Sequence, residues 1–167
     1  MKTIVTGQAH VFGDNLDTDQ IFPGQYLELV EIEEIRQHAM EGADPDFIKT
    51  FQPGDIIIAG TNFGCGSSRE QAVTTLKAAG TGAILAESFA RIFYRNAINL
   101  GLPLLVCPAI KTFISKGDSV KIDFKQGKVL NQTSHKILTT DPLSGYVLKI
   151  LENGGIKLLV KEQLALK

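Results

Sequence analysis

The chain predicts an α/β domain with a parallel centre and antiparallel additions, and three features carry that prediction. Short, fully apolar runs at Ile56–Ala59, Ala83–Ala86 and Leu104–Val106 are separated by amphipathic stretches of helix length. Uniformly apolar strands alternating with helices are the mark of a parallel sheet covered on both faces. Further on, Ser119–Phe124 alternates in polarity before the turn at Gln126-Gly127, as a half-exposed antiparallel hairpin does. The length, 167 residues of which 44% are apolar and 21% charged, suits one ordinary core, so a single domain is expected over residues 1–167.

In order along the chain, Thr3–Phe12 reads as extended, with Gly7 as a bulge or turn. Gly13–Gln25 carries Asp14, Asn15, Asp17, Asp19 and Pro23-Gly24 and reads as loop. Glu31–Met40 reads as a helix with Ile32, Ile35 and Ala39 on one side, acids in its first turn and Gly42 closing it. His38 on this helix is expected to face solvent or cap it. After the turn Pro53-Gly54-Asp55 comes the first apolar strand, then a glycine-rich loop, Gly60–Gly66, and a helix over Arg69–Ala79 with Ala72, Val73, Leu76 and Ala79 as its stripe and Gly80 as its stop. The second strand precedes a helix over Phe89–Leu100, ended by Gly101 and Pro103, and the third strand follows. In the last third, Val129–Thr139 reads as the return arm of the hairpin, Leu143–Leu151 as a helix ending at Asn153-Gly154-Gly155, and Ile156–Val160 as a final extended stretch.

The formal net charge of −1 offers no broad field for nucleic acid or an anionic membrane. No apolar run can span a bilayer, and no signal peptide is expected at the N-terminus. Two cysteines, Cys65 and Cys107, make no disulfide framework, so a reducing cytoplasm is the expected setting. His10, His38 and His135 have no metal-ligand spacing.

The richest stretch is Asn62-Phe63-Gly64-Cys65-Gly66-Ser67-Ser68-Arg69-Glu70, joining a buried strand to a helix. Gly64 and Gly66 permit a sharp turn. Ser67 and Glu70 have capping-box spacing, which starts the helix here. A helix start presents unpaired N–H groups, and Arg69 adds a planar fork suited to a carboxylate. From these residues alone, an ordinary cap with a surface arginine and an anion site are equally good readings. The loop is not a P-loop, a nucleophile elbow or a dinucleotide fingerprint, since the required lysine and glycines are missing.

This stretch resembles the signature loop of the swivelling domain of aconitases and isopropylmalate dehydratase small subunits. Asn15–Pro23 with Tyr26-Leu27, and Ala86–Asn99, resemble the family segments that flank it. The resemblance implies a three-layer β/β/α swivelling domain and a hydro-lyase, with Ser67 as the base that moves a proton at carbon. Ser68, Arg69 and Gly66 would hold substrate carboxylates, Asp19 would belong to the active site, and Asp14 and Asp17 would be structural. It also implies a [4Fe–4S] cluster. Two cysteines are too few to attach one, so the cluster is expected on a large-subunit partner and no metal on this chain. Cys65 is then a tight-turn residue and Cys107 a core residue. Arg91 and Arg95 are expected to form salt bridges or partner contacts.

In the family the segment after Tyr26-Leu27 helps choose the substrate, a small dicarboxylate. Here it reads Glu28-Leu29-Val30, with no arginine before Arg36. A glutamate repels a third carboxylate, while Leu29 and Val30 suit an alkyl group. A 2-alkylmalate is expected, isopropylmalate first, with citraconate/methylmalate, dimethylmalate and homoaconitate as alternatives. A non-catalytic, anion-binding assembly subunit is the alternative of another class.

Overall fold

The computed structural model describes residues 3–165. Among them a seven-stranded sheet has the order β4-β3-β2-β1-β5-β6-β7. Its strands are β1 (Ile4–Val11), β2 (Ile56–Ala59), β3 (Ala83–Ala86), β4 (Leu104–Val106), β5 (Ser119–Asp123), β6 (Lys128–Asn131) and β7 (Lys136–Thr139). β1 through β4 pair parallel and β1-β5-β6-β7 antiparallel, so β1 joins the two halves. Every residue of β2 and β3 is buried, which is why those runs carry no polar residue. β5 alternates, with Val120 and Ile122 fully buried and Lys121 exposed.

The helices are α1 (Thr18–Ile21), α2 (Ile32–Gln37), α3 (Phe47–Thr50), α4 (Glu70–Ala78), α5 (Arg91–Leu100), α6 (Ile110–Phe113), α7 (Gly145–Glu152) and α8 (Ile156–Ala165). The predicted stripe Ala72, Val73, Leu76 and Ala79 is buried, as are Phe93, Ala97 and Ile98 of α5. Gly101 ends α5 in the left-handed region at φ 79°, a conformation glycine adopts without strain.

Several local expectations are corrected. Gly7 is no bulge: it pairs in register with Val120, and a Cβ there would lie 2.2 Å from the Gly54 carbonyl oxygen, so its role is close backbone approach. Gly13–Gln25 holds α1 and a 3-10 turn, Gly24–Tyr26. The helix expected over Glu31–Met40 stops at Gln37, and Ile32 is 56% exposed. Val129–Thr139 is two strands, giving a three-stranded meander with β5. Ile156–Val160 opens α8, whose Leu159 packs into the core. A five-residue apolar run fits strand or helix alike, and α5 and α7 supply a helical neighbourhood for this one.

Candidate active site

Three loops leave the carboxyl ends of β1, β2 and β3, the end of an open parallel sheet where sites form. They continue the sheet's order as irregular backbone. The loop after β1 meets the glycine loop through Asn15 N–H to Thr61 C=O (2.8 Å), Gly64 N–H to Leu16 C=O (2.7 Å) and Thr18 N–H to Cys65 C=O (2.8 Å). On the other side, Phe63 N–H donates to Ser88 C=O (3.0 Å) and Ala90 N–H to Phe63 C=O (2.9 Å). The Asp14 carboxylate accepts from Thr61 N–H and from the Lys111 ammonium, each at 2.9 Å. These bonds, the lysine first, hold it below the usual aspartate range. So Asp14 anchors the loop.

Gly64 (φ 78°) and Gly66 (φ 92°) turn the chain sharply. A Cβ on Gly64 would sit 2.2 Å from Phe93 Cγ, so the position is closed to any other residue. Beyond this turn Ser67 is exposed. Its hydroxyl lies 3.2 Å from that of Thr18, which is itself buried. The capping box expected of Ser67 and Glu70 is absent: α4 starts at Glu70, and Arg69, its N-cap, makes no side-chain cap bond. The Ser67 hydroxyl is turned toward α1 instead. A capping box does occur on α1, where Asp17 accepts from the N–H groups of Asp19 and Gln20 at 2.8 Å and the Gln20 side chain accepts from Asp17 N–H at 3.1 Å. Asp17 is thus structural, and it presents Thr18 and Asp19 to the glycine loop.

Asp19 and Arg69 are brought together. Arg69 Nη1 donates to Asp19 Oδ1 at 2.9 Å, and the same oxygen accepts from Gly24 N–H at 2.8 Å. The guanidinium bond, then the amide, hold the Asp19 carboxyl below its ordinary range. Ser68 is exposed, and among the described residues its hydroxyl has no partner.

The segment from Tyr26 to Val30 runs along the outside. Tyr26 stacks on His38 with ring centroids 3.5 Å apart, and its hydroxyl donates to Glu41 at 2.8 Å. That bond raises the Tyr26 hydroxyl's pKa. The other Glu41 oxygen binds His38 Nδ1. Burial acts to raise the Glu41 carboxyl, and the bonds from His38 and Tyr26 outweigh it, so it titrates below the usual glutamate range. His38 is the C-cap of α2, its N–H donating to Ile35 C=O at 3.2 Å, and its half-buried ring is turned onto Tyr26 and Glu41. It braces the turn that launches Leu27, Glu28, Leu29 and Val30. Leu29 is half-buried, and Glu28 and Val30 are exposed, Val30 by 80%. Arg36 is bound to Glu33 at 2.8 Å.

An open cleft of about 950 Å³ lies against the other side of the Ser67 loop. Gly66 and Ser67 form one wall, and α5 with Val106 of β4 forms the other. Asp19, Arg69 and residues 26–30 are not part of its lining. Arg91 and Arg95 are, and the expectation of internal salt bridges fails for both: among the described residues no carboxylate lies within 4.0 Å of either. A signal for this was present, since the two are four apart and so share a helix face, but the sequence does not say that this face borders Ser67.

Cys107 is fully buried, as expected of a core residue, and burial pushes its thiol up to about 11. Cys65 is half-buried in the glycine turn. Among the described residues no three histidine, cysteine or acidic side chains gather in a metal-holding group, and no helix is long and apolar enough to cross a membrane.

Residues 1–108 match the aconitase C-terminal domain family. A 3-isopropylmalate dehydratase small subunit 1 of Methanopyrus kandleri is 49% identical over 163 residues, 98% of this chain and 96% of that one. A methanogen homoaconitase small subunit of Methanothermobacter thermautotrophicus is 51% identical over 156 residues, 93% and 90% of the two chains. A crystal structure of a 3-isopropylmalate dehydratase from Methanocaldococcus jannaschii has a TM-score of 0.93 at 43% identity, covering 98% of this chain and 96% of that one.

Proposed function

The chain belongs to the aconitase C-terminal domain family, and on that premise we propose that it is the small subunit of a 3-isopropylmalate dehydratase. With a large subunit it would interconvert 2-isopropylmalate and 3-isopropylmalate by dehydration and rehydration, in leucine biosynthesis in the cytoplasm. The observation that carries the reading is the placement of Ser67, held on a two-glycine turn, bonded to the buried Thr18 hydroxyl and open to a cleft.

On this reading Ser67 takes a proton from the substrate carbon in the dehydration and returns one in the hydration. A serine hydroxyl is a very weak acid, so the useful base is the alkoxide. The Thr18 hydroxyl, the N-terminal end of α4 and the nearby Arg69 are the groups of this chain that stabilise that charge. Asp19, neutralised by Arg69, orients the guanidinium so that its free edge receives a carboxylate, and Ser68 and Gly66 complete that grip. The partner's [4Fe–4S] cluster would supply the Lewis acid for the departing hydroxyl, since two cysteines are too few to attach a cluster to this chain. Water exclusion also falls to the partner, because Ser67 is exposed on the isolated chain.

For the substrate's variable group, the exposed Val30 and half-buried Leu29 follow an anchored Tyr26, and the next arginine along the chain, Arg36, is engaged by Glu33. That favours an alkyl group over a third carboxylate. The 51% identity to a homoaconitase small subunit keeps the tricarboxylate reading as the alternative. Reconstitution with the cognate large subunit and turnover across alkylmalates and tricarboxylates decides between them, with 2-isopropylmalate expected to have the highest kcat/KM. Ser67→Ala is expected to lower kcat by about 10²–10⁴-fold while the pair still assembles. Retained turnover in that variant removes Ser67 as the base, and a wild-type pair inert on the whole panel would leave only a non-catalytic assembly role.

A further inference from the structure

The geometry points to the cleft beside Ser67 as the surface that receives the large subunit, through a segment carrying an apolar side chain flanked by carboxylates. This rests on the proposed two-subunit reading. The cleft's floor is apolar, and two of its aliphatic side chains, Ile92 and Val106, remain 45% and 41% exposed. Its rim carries Arg91 and Arg95, one helical turn apart, both exposed and both without a carboxylate partner among the described residues. Two unpaired cations over an apolar floor fit a partner with the opposite charge, because desolvating a lone guanidinium needs a compensating carboxylate. The choice of occupant follows from continuity. Ser67 forms a wall of the same cleft, so whatever closes the active site over Ser67 reaches this floor as well. A substrate-sized diacid is too small and too polar to cover both aliphatic side chains and the two arginines.

The test titrates the cluster-loaded large subunit with the full chain and measures the Kd of the pair without substrate. Arg95→Glu and Arg91→Glu are each expected to raise Kd about tenfold or more, and Ile92→Asp to do the same, with KM for 2-isopropylmalate at saturating large subunit within about twofold of wild type. Kd changes below about threefold in all three variants overturn the docking surface, as does a raised KM with Kd unmoved, which would give the arginines to the substrate. If a reversal unfolds the chain, Arg95→Gln and Arg91→Gln carry the same comparison. Because Kd is read without turnover, a wild-type pair that assembles but ignores 2-isopropylmalate sinks the assigned activity and leaves the interface standing. Failure of the wild-type chain to bind the large subunit sinks the interface itself.

Discussion

At the scale of single residues, the candidate site depends on backbone that only glycine permits. Gly64 combines a φ of 78° with a Cβ position 2.2 Å from Phe93 Cγ, so alanine there meets conformational strain and overlap at once. Gly64→Ala is expected to cost about 2–4 kcal/mol, read as a fall in the denaturant midpoint, with turnover of the reconstituted pair reduced as Ser67 shifts. Stability within about 0.5 kcal/mol of wild type would mean that the turn has another way to form. Ser67, Arg69 and both loop glycines were legible in the sequence because they share one contiguous stretch. The bond between Ser67 and Thr18 was not, since it joins residues 49 apart and depends on which loops the sheet order makes neighbours. The same gap hid the surroundings of Arg91 and Arg95. Their spacing names a helix face, but only the parallel pairing of β3 with β2 sets that face beside the glycine loop.

At the scale of elements, β2, β3, β4, α4 and α5 were readable because their apolar pattern is complete and, β3 apart, a glycine or proline follows within two residues. The short helices were not. α1, α3 and α6 have four residues each, too few for a periodic signal and too few to hold as isolated helices. α1 has a side-chain cap, whereas α3 and α6 have none and are held by burying Phe47 and Ile110 in the core. α1 shows the point most clearly, since its Asp17–Gln20 box lies in a stretch whose acids look like ordinary turn chemistry. The box has a functional consequence on the reading proposed here, because α1 carries both Thr18 to Ser67 and Asp19 to Arg69. Asp17→Ala is expected to cost about 1 kcal/mol of stability, together with a drop in kcat/KM larger than that loss explains. A variant with normal kcat/KM would show that the bond from Thr18 N–H to Cys65 C=O is enough to place α1 without its cap.

At the scale of the whole molecule, one sheet does two jobs. Its parallel half is sealed around β2 and β3, while the loops at the carboxyl end of that half border an open cleft. Cys107 reports on how firmly the sealed part excludes water. It follows β4, its N–H donates to Ala86 C=O at 2.8 Å, and its side chain is fully buried. Burial raises the thiol from 9.0 to about 11. The sign of the linkage follows from that direction. The folded state keeps the proton to a higher pH than the unfolded chain does, so the thiol's contribution is complete below pH 9 and declines as the pH rises toward 11. Lysines and tyrosines titrate in the same range, so the useful quantity is the stability of wild type minus that of Cys107→Ala, measured by denaturant unfolding at each pH. That difference is expected to fall by about 2 kcal/mol between pH 9 and pH 11. Alkylating reagents at pH 8 should correspondingly modify Cys65 and spare Cys107 until the chain is unfolded. A pH-independent difference, or rapid labelling of both thiols in the native protein, would mean that solvent reaches the end of β4, and the parallel half could not then be the rigid platform on which the Ser67 loop is held.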